Sequence, residues 1–287
     1  MIEYWRYELT PKRRLSAIAP DGVRRGALIR VNGGVADVHP WPELGDLPLD
    51  EQLARLARGE TTPLTKASLK FAAIDATSRR DGRNLFDGLT IPPSHWPGPD
   101  PPPDFDIVKL KSIDVIPDRV RLRIDFNATL TAEEFVRIAA MLPRERIDFI
   151  EDPCPYDAAV WRELRERTGL RLALDRGASS SQHRHSCLCS VNSYDVLILK
   201  PALDEIPCSD AEVVVTSYMD HPIGQLCAAY TAATANVTST CGLITHVLFE
   251  NDPFIERMRI DDTHLVPPGG NGWGFDDLLE KLPWLKL

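Results

Sequence analysis

Five short apolar runs in this chain end in a charged residue, and the ends recur at nearly constant intervals. They are Ile107-Val108-Lys109-Leu110-Lys111, Leu122-Arg123-Ile124-Asp125, Ile147-Asp148-Phe149-Ile150-Glu151, Leu172-Ala173-Leu174-Asp175 and Val196-Leu197-Ile198-Leu199-Lys200. Asp125 and Glu151 are 26 residues apart, Glu151 and Asp175 24, and Asp175 and Lys200 25. An interval of that size holds one strand and its return, so the runs predict successive parallel strands. Periodicity alone allows an open sheet or a closed barrel. If the sheet closes, the C-terminal strand ends meet at one mouth.

Three carboxylates brought to one mouth repel each other unless a cation lies among them. Aspartate and glutamate oxygens are hard ligands of the kind Mg²⁺ takes. Asp125, Glu151 and Asp175 therefore read as one metal site. Lys111 and Lys200 bracket the acidic strands and would face each other across a closed barrel. Desolvation beside a cation disfavours a charged lysine, which suits it to act as a base. A metal-bound carboxylate substrate has an acidified α-proton, because the cation stabilises the enediolate that forms. A single charged strand end is commonplace; five in this order point to a site.

The rest of the chain frames this region. Residues 2–8, 26–31 and 34–38 read as strands, with Gly33-Gly34 as a turn signal, and helices are predicted at 48–58 and 64–79. A proline-rich stretch from Pro97 to Pro103 marks a border near residue 95. Further helices are predicted at 131–142, 157–167 and 222–234. The expectation is an α+β capping domain over 1–95, joined by residues 265–287, and a modified (β/α) barrel over 96–264. Two connections are short for a parallel crossover. Residues 112–118 allow a hairpin or an extended return, and seven residues reach about 23–25 Å against roughly 17 Å for a strand. The stretch from Lys200 to Glu212 leaves room for a turn or two of helix. Some barrel helices are therefore expected to be missing.

The formal net charge of -9, with no basic face evident in the sequence, argues against a nucleic-acid partner. No run of 18 apolar residues predicts a membrane span. The Met1–Arg6 start carries Glu3 and no apolar stretch, so no signal peptide is predicted and a cytoplasmic protein is expected. The six cysteines form no small-domain disulfide framework. His183, His185, Cys187 and Cys189 alternate but match no common zinc spacing. His221, after Asp220, is a further acid/base candidate, with a solvated or helix N-terminal histidine as the plainer reading. Gly269-Gly270-Asn271-Gly272 reads as a turn, since it lacks the lysine of a phosphate loop.

These motifs resemble the enolase superfamily. Lys109-Leu110-Lys111 resembles its Lys-x-Lys motif, Arg123 to Asn127 the strand with the first metal ligand, and Glu151-Asp152-Pro153 the Glu-x-Pro motif with the second. Leu174-Asp175 and Leu199-Lys200-Pro201 follow suit, as do Thr216 to Gly224 and Pro268 to Gly274. The first 95 residues are similar in layout to the capping domain. The wording is most similar to o-succinylbenzoate synthases. That resemblance implies a Mg²⁺ cofactor, with Mn²⁺ as a substitute, and a small anionic carboxylate substrate. It implies dehydration of 2-succinyl-6-hydroxy-2,4-cyclohexadiene-1-carboxylate, with Lys111 as base and then acid and Lys200 stabilising the enediolate. Lys109, Asn127, Ser217 and Arg123 would contact the substrate or the metal shell. For Arg123, one layer deeper, an ion pair inside the barrel is an equal reading. Arg176 stands where relatives often carry an acid. An N-acylamino acid or dipeptide racemase or epimerase, or a cycloisomerase, fits the same lysines. Ser239 to Leu243 lacks the Asp-x-Asp motif of dipeptide epimerases. A barrel that binds without catalysis is the alternative of another class.

Overall fold

The computed structural model describes residues 1–16, 18–175, 193–205 and 211–287. The chain begins with three antiparallel strands, β1 (Ile2–Leu9), β2 (Arg24–Val31) and β3 (Gly34–Val38). Helices α1 (Leu49–Ala57) and α2 (Pro63–Arg80) follow. Thr62 caps α2 through a reciprocal bond with Thr65, which satisfies two end N–H groups. Gly34 lets α2 sit directly on β3, because a Cβ there would lie 2.0 Å from the Ala72 carbonyl oxygen. The C-terminus returns to this layer. The last two-residue strand, Leu285–Lys286, pairs with β1, Glu3 opposite Lys286. Buried Asp75 on α2 accepts from the backbone N–H groups of Val35 (2.7 Å) and Trp273 (2.8 Å), and so fastens residues 268–274 to the cap. That stretch is a turn, as expected, with Gly270 and Gly272 at positive φ.

Six parallel strands follow in sequence order: β4 (Ile107–Leu110), β5 (Arg121–Asp125), β6 (Ile147–Glu151), β7 (Leu172–Leu174), β8 (Val196–Leu199) and β9 (Glu212–Val215). β4 and β5 pair in parallel, Lys109 beside Arg123, so residues 112–118 make the extended return and not a hairpin. Helices α3 (Ala132–Ala139), α4 (Ala158–Thr168) and α5 (Pro222–Thr234) cover the outside. Asp157 caps α4 by accepting from Ala159 and Val160, and Gly169 ends it in the left-handed conformation that glycine adopts freely. Phe135, Trp161 and Leu164 from α3 and α4 pack against Leu122, Ile124 and Leu172. Phe149, Ala173, Val196 and Ile198 share strand faces with Glu151, Asp175 and Lys200 and fill the interior below them.

The ring closes through two segments too short to read as strands. Trp96 bridges Val108, Ser94 bridges Cys241, and Thr216 bridges Gly242, all in parallel. His95 N–H donates to the Cys241 carbonyl (2.9 Å) and Gly242 N–H to that of Val215 (2.9 Å). Segments 94–96 and 241–242 thus add two positions to the six strands and complete a barrel. The first of them straddles the expected domain border. The ladders end one or two residues short of the predicted strands, so Lys111, Asp175, Lys200 and Ser217 lie just past them. Beyond Lys200 the described chain makes a turn, with Leu203 and Asp204 bonding back to its carbonyl. Pro207 lies outside the described residues.

A buried polar joint fixes the cap on the barrel. The Tyr7 hydroxyl donates to Asp37 Oδ1 (2.6 Å), and Asp37 Oδ2 accepts from the His221 backbone N–H (3.1 Å). Trp41 Nε1 donates to the Tyr218 carbonyl (2.8 Å). Gly224 makes room for Asp220 and Asp37, since a Cβ would lie 2.4 and 2.7 Å from their Oδ2 atoms. Burial pushes the Asp220 carboxyl up to about 7, and burial with the Asp220 charge pushes Asp37 up as well. Folded Asp220 therefore keeps its proton up to about pH 7, whereas an unfolded aspartate loses it near pH 4. The stability it contributes is complete below about pH 4 and lost as the pH rises through 7. The variant Asp220→Asn is expected to gain about 2–4 kcal/mol on the parent between pH 4 and 8. Urea unfolding across that range measures it, and parallel pH curves for the two proteins would refute it.

Candidate functional site

The parallel register carries the strand-end charges to one level. Asp125 on β5 is the register partner of Glu151 on β6, and both are buried. Lys109 Nζ lies between them, 2.6 Å from both Glu151 oxygens and 3.2 Å from Asp125 Oδ2. Lys111 bonds to Asp125 Oδ2, and Lys200 to Asp175 Oδ2. The structure thus brings together Lys109, Lys111, Asp125, Glu151, Asp175 and Lys200. Asn127, just past β5 at positive φ, donates its side-chain N–H to Asp125 Oδ1 (2.7 Å). Its own Oδ1 accepts from Ser16 of the cap (2.9 Å). Ser217 shares a hydrogen bond with Thr245 (2.6 Å).

Burial makes the charge balance severe. For Asp125, burial favours the neutral form, but Lys111 and then Lys109 outweigh it and hold the carboxyl well below the usual range. For Lys109 burial opposes the charge, and Glu151 and Asp125 more than restore it. Glu151 goes the other way: burial, then the charges of Asp125 and Asp175, push its carboxyl up to about 8. Lys109 and Lys111 lower it, but not enough to offset burial and the two neighbouring carboxylates.

A cavity of about 550 Å³ opens above this layer. Its walls include Lys109, Lys111, Asn127, Asp175, Lys200 and Ser217, which places most of the expected site residues around one space. The cap contributes Arg13 to Ser16, and the short crossover contributes Ser112, Asp114 and Val115. Sequence reasoning passed over these, and His95, Thr216 and Thr245 beside them. No strand-end charge marks a loop that arrives from another domain.

Arg123 is a correction. It does not line the cavity but lies one layer below, with its side chain 3% exposed. Its Nε donates to Asp148 (2.7 Å) and its Nη1 to the Thr240 carbonyl (2.7 Å), and the guanidinium stacks over Phe149. The ion-pair reading therefore holds for it, in place of substrate contact. His221 is buried, not solvated: it caps α5 by accepting from the Ile223 N–H and packs on Tyr7 and Phe254, away from the cavity. Cys154 is buried, as a small apolar residue is expected to be. Arg176, His183, His185, Cys187 and Cys189 lie outside the described residues.

The comparisons with known proteins agree with this architecture. The family described as O-succinylbenzoate synthase, N-terminal domain, matches residues 2–78, and the one described as Enolase C-terminal domain-like matches residues 86–202. An o-succinylbenzoate synthase from Bdellovibrio bacteriovorus is 31% identical over an alignment covering 100% of this chain and 98% of the relative. The chain belongs to the enolase superfamily. Its fold is that of solved superfamily enzymes. A muconate lactonizing enzyme from Pseudomonas fluorescens, complexed with muconolactone, superposes with a TM-score of 0.78 at 17% identity, covering 96% of this chain and 95% of that one. A dipeptide epimerase from Cytophaga hutchinsonii, complexed with Mg and D-Ala-L-Val, gives 0.76 at 16%, covering 99% and 98%. No helix among the described residues is long and apolar enough to cross a membrane.

Superfamily membership implies a divalent metal, and the donor set can be tested for it. Among the described residues no three Asp, Glu, His or Cys side chains converge as they stand, because each acid is drawn to a lysine. The donors themselves fit: three carboxylates at the ends of adjacent parallel strands, all hard oxygen ligands. The deeper layer has a separate, structural role. Arg123→Met removes the nearest cation from Asp148, leaving Arg121 and Arg171 at 3.8 Å, and frees the Thr240 carbonyl. A loss of roughly 3 kcal/mol in urea unfolding is expected; a change below about 0.5 kcal/mol would return Arg123 to the substrate set.

Proposed function

We propose that the chain is a metal-assisted carbon–oxygen lyase. It dehydrates 2-succinyl-6-hydroxy-2,4-cyclohexadiene-1-carboxylate to 2-succinylbenzoate, a step of menaquinone synthesis, in the cytoplasm. The observation that carries this is the cavity wall: Lys111 and Lys200 both face it, with the acidic strand ends between them in sequence. The relatedness to o-succinylbenzoate synthase over the whole chain supports the particular reaction. The functional division is a cap of residues 1–95 with 265–287 and a catalytic barrel of 96–264, with Ser94 and His95 at that border joining the barrel ring.

Asp125, Glu151 and Asp175 are the residues that hold Mg²⁺, or Mn²⁺ in its place. When bound, the cation supplies positive charge to the enediolate and takes over the charge balance that the lysines provide at these carboxylates. Lys111 Nζ, as the free amine, takes the proton α to the substrate carboxylate. The electron pair of that C–H bond moves into the enediolate, then into the ring, which becomes aromatic as the C–O bond breaks. The same Lys111, now an ammonium, returns the proton to the departing hydroxyl, so water leaves from the face that lost the proton. Lys200 stabilises the enediolate by its charge. Lys109 sits between Asp125 and Glu151 and orients both. Asn127 fixes Asp125 through its amide. Ser217, with Thr245, offers hydroxyls to the succinyl end.

Racemisation of N-acylamino acids is the second reading, because paired lysines suit two-base chemistry. Turnover of the cyclohexadiene substrate with and without EDTA separates the readings. EDTA-sensitive aromatisation is expected, while racemisation without it would replace the proposal. Neither activity, with no Mg²⁺ binding by calorimetry, would leave a binding protein. Lys111→Ala is expected to lower turnover about 10²–10⁴-fold with Mg²⁺ affinity within about threefold of the parent. Near-parent turnover would remove Lys111 from the base role. Glu151→Gln is expected to weaken Mg²⁺ binding at least about tenfold, and unchanged calorimetric affinity would break the ligand assignment.

A further inference from the structure

The floor of the cavity holds a histidine that the charged strand ends do not account for. His95 sits on ring segment 94–96 beside β4 and is 4% exposed. Its Nδ1 is 3.1 Å from Arg123 Nη1. A guanidinium has donors only, so Nδ1 accepts. Arg123 is itself fixed by Asp148 and the Thr240 carbonyl, which makes it a rigid support. The far edge of the ring lies against Gly242, where a Cβ would come 2.9 Å from Cε1 and 3.1 Å from Nε2. Only a glycine leaves this edge its place.

An accepting Nδ1 puts the proton of the neutral ring on Nε2. Burial, and after it the charges of Arg123, Lys109 and Lys111, push the ring well below the usual histidine range, so it stays neutral. The Nε2–H has no hydrogen-bond partner among the described residues, and His95 lines the cavity. The lysines and Asp175 there are already engaged in ion pairs. A neutral, oriented donor adds direction without altering their balance.

We propose that His95 is a substrate-binding residue, its Nε2–H donating to an oxygen of the bound carboxylate substrate at the cavity floor. The proposal rests on the reading of this cavity as the lyase active site. A fixed neutral donor holds substrate and transition state alike, so its loss acts on KM more than on kcat.

The full chain with Mg²⁺ provides two tests. In steady-state turnover, His95→Leu is expected to raise KM about tenfold or more and to change kcat by less than about threefold. His95→Gln, which keeps an N–H near the Nε2 position, is expected to recover most of the loss. Equal KM values for Leu, Gln and parent, or a loss confined to kcat, would overturn the proposal. In ¹⁵N-histidine NMR at pH 7, the His95 ring, assigned by its absence in His95→Gln, is expected as the Nε2-protonated neutral tautomer. Its Nε2 signal should move on addition of 2-succinylbenzoate. An Nδ1-protonated or charged ring, or an unmoved signal, would equally overturn it. The two readings separate cleanly. A shifted signal without turnover discards the dehydration and keeps the donor, turnover with an unmoved signal discards the donor alone, and neither discards both.

Discussion

Everything at the mouth of this barrel depends on how buried negative charge is balanced. Parallel register puts Asp125 and Glu151 side by side, with Asp175 on the next strand end, in a place where burial removes the screening of water. Three lysines answer them, and Lys109 spans two acids at once. Neither set is stable there without the other. Burial, more than the neighbouring carboxylates, still leaves Glu151 with a carboxyl raised to about 8. A cation among these hard oxygen donors would leave the same lysines available to an anionic ligand. Structural ion pairing and the chemistry of the site are thus two uses of one set of side chains.

Support for this layer comes from above and below. Below it, Arg123 and Asp148 lock the interior, and the guanidinium lies on Phe149. Above it, Ser16 of the cap reaches Asn127, which in turn holds Asp125. The joint of Tyr7, Asp37 and His221 sets the chain that follows β9, where Ser217, Tyr218 and Met219 enter the cavity wall. The cap is part of the site through these contacts, and not merely a cover.

Much of this was legible in the sequence, for reasons tied to particular residues. Apolar runs ending in Lys111, Asp125, Glu151, Asp175 and Lys200 at one-unit spacing carry both the strand order and the site, because parallel strands in sequence order map spacing onto geometry. The capping box of α2 and the glycine after α4 are local signals of the same kind, but neither was used in reading the sequence. For Arg123 the ion pair was legible only as one of two equal readings, and its partner Asp148 was not, since the register shifts at Leu122/Arg123 and no pattern announces it. His95 was missed because its strand is three residues long and flanked by prolines, so no alternation marks it. The joint between cap and barrel escaped as well. Asp37 and His221 are 184 positions apart, and nothing local in either stretch refers to the other.

The narrow seam that completes the ring has a consequence for how the molecule is made. Strands β4 to β9 pair with their neighbours in sequence, so each can be added with a modest loop to close. The seam differs: Leu243 N–H donates to Ser94 Oγ across 149 positions of chain. Loop-closure entropy places such a contact late in folding, after the sheet beside it exists. Because His95 and Gly242 belong to that seam, the cavity floor is assembled by the final act of closure. A nascent chain released before residue 242 emerges has the acids and the lysines but no floor beneath them.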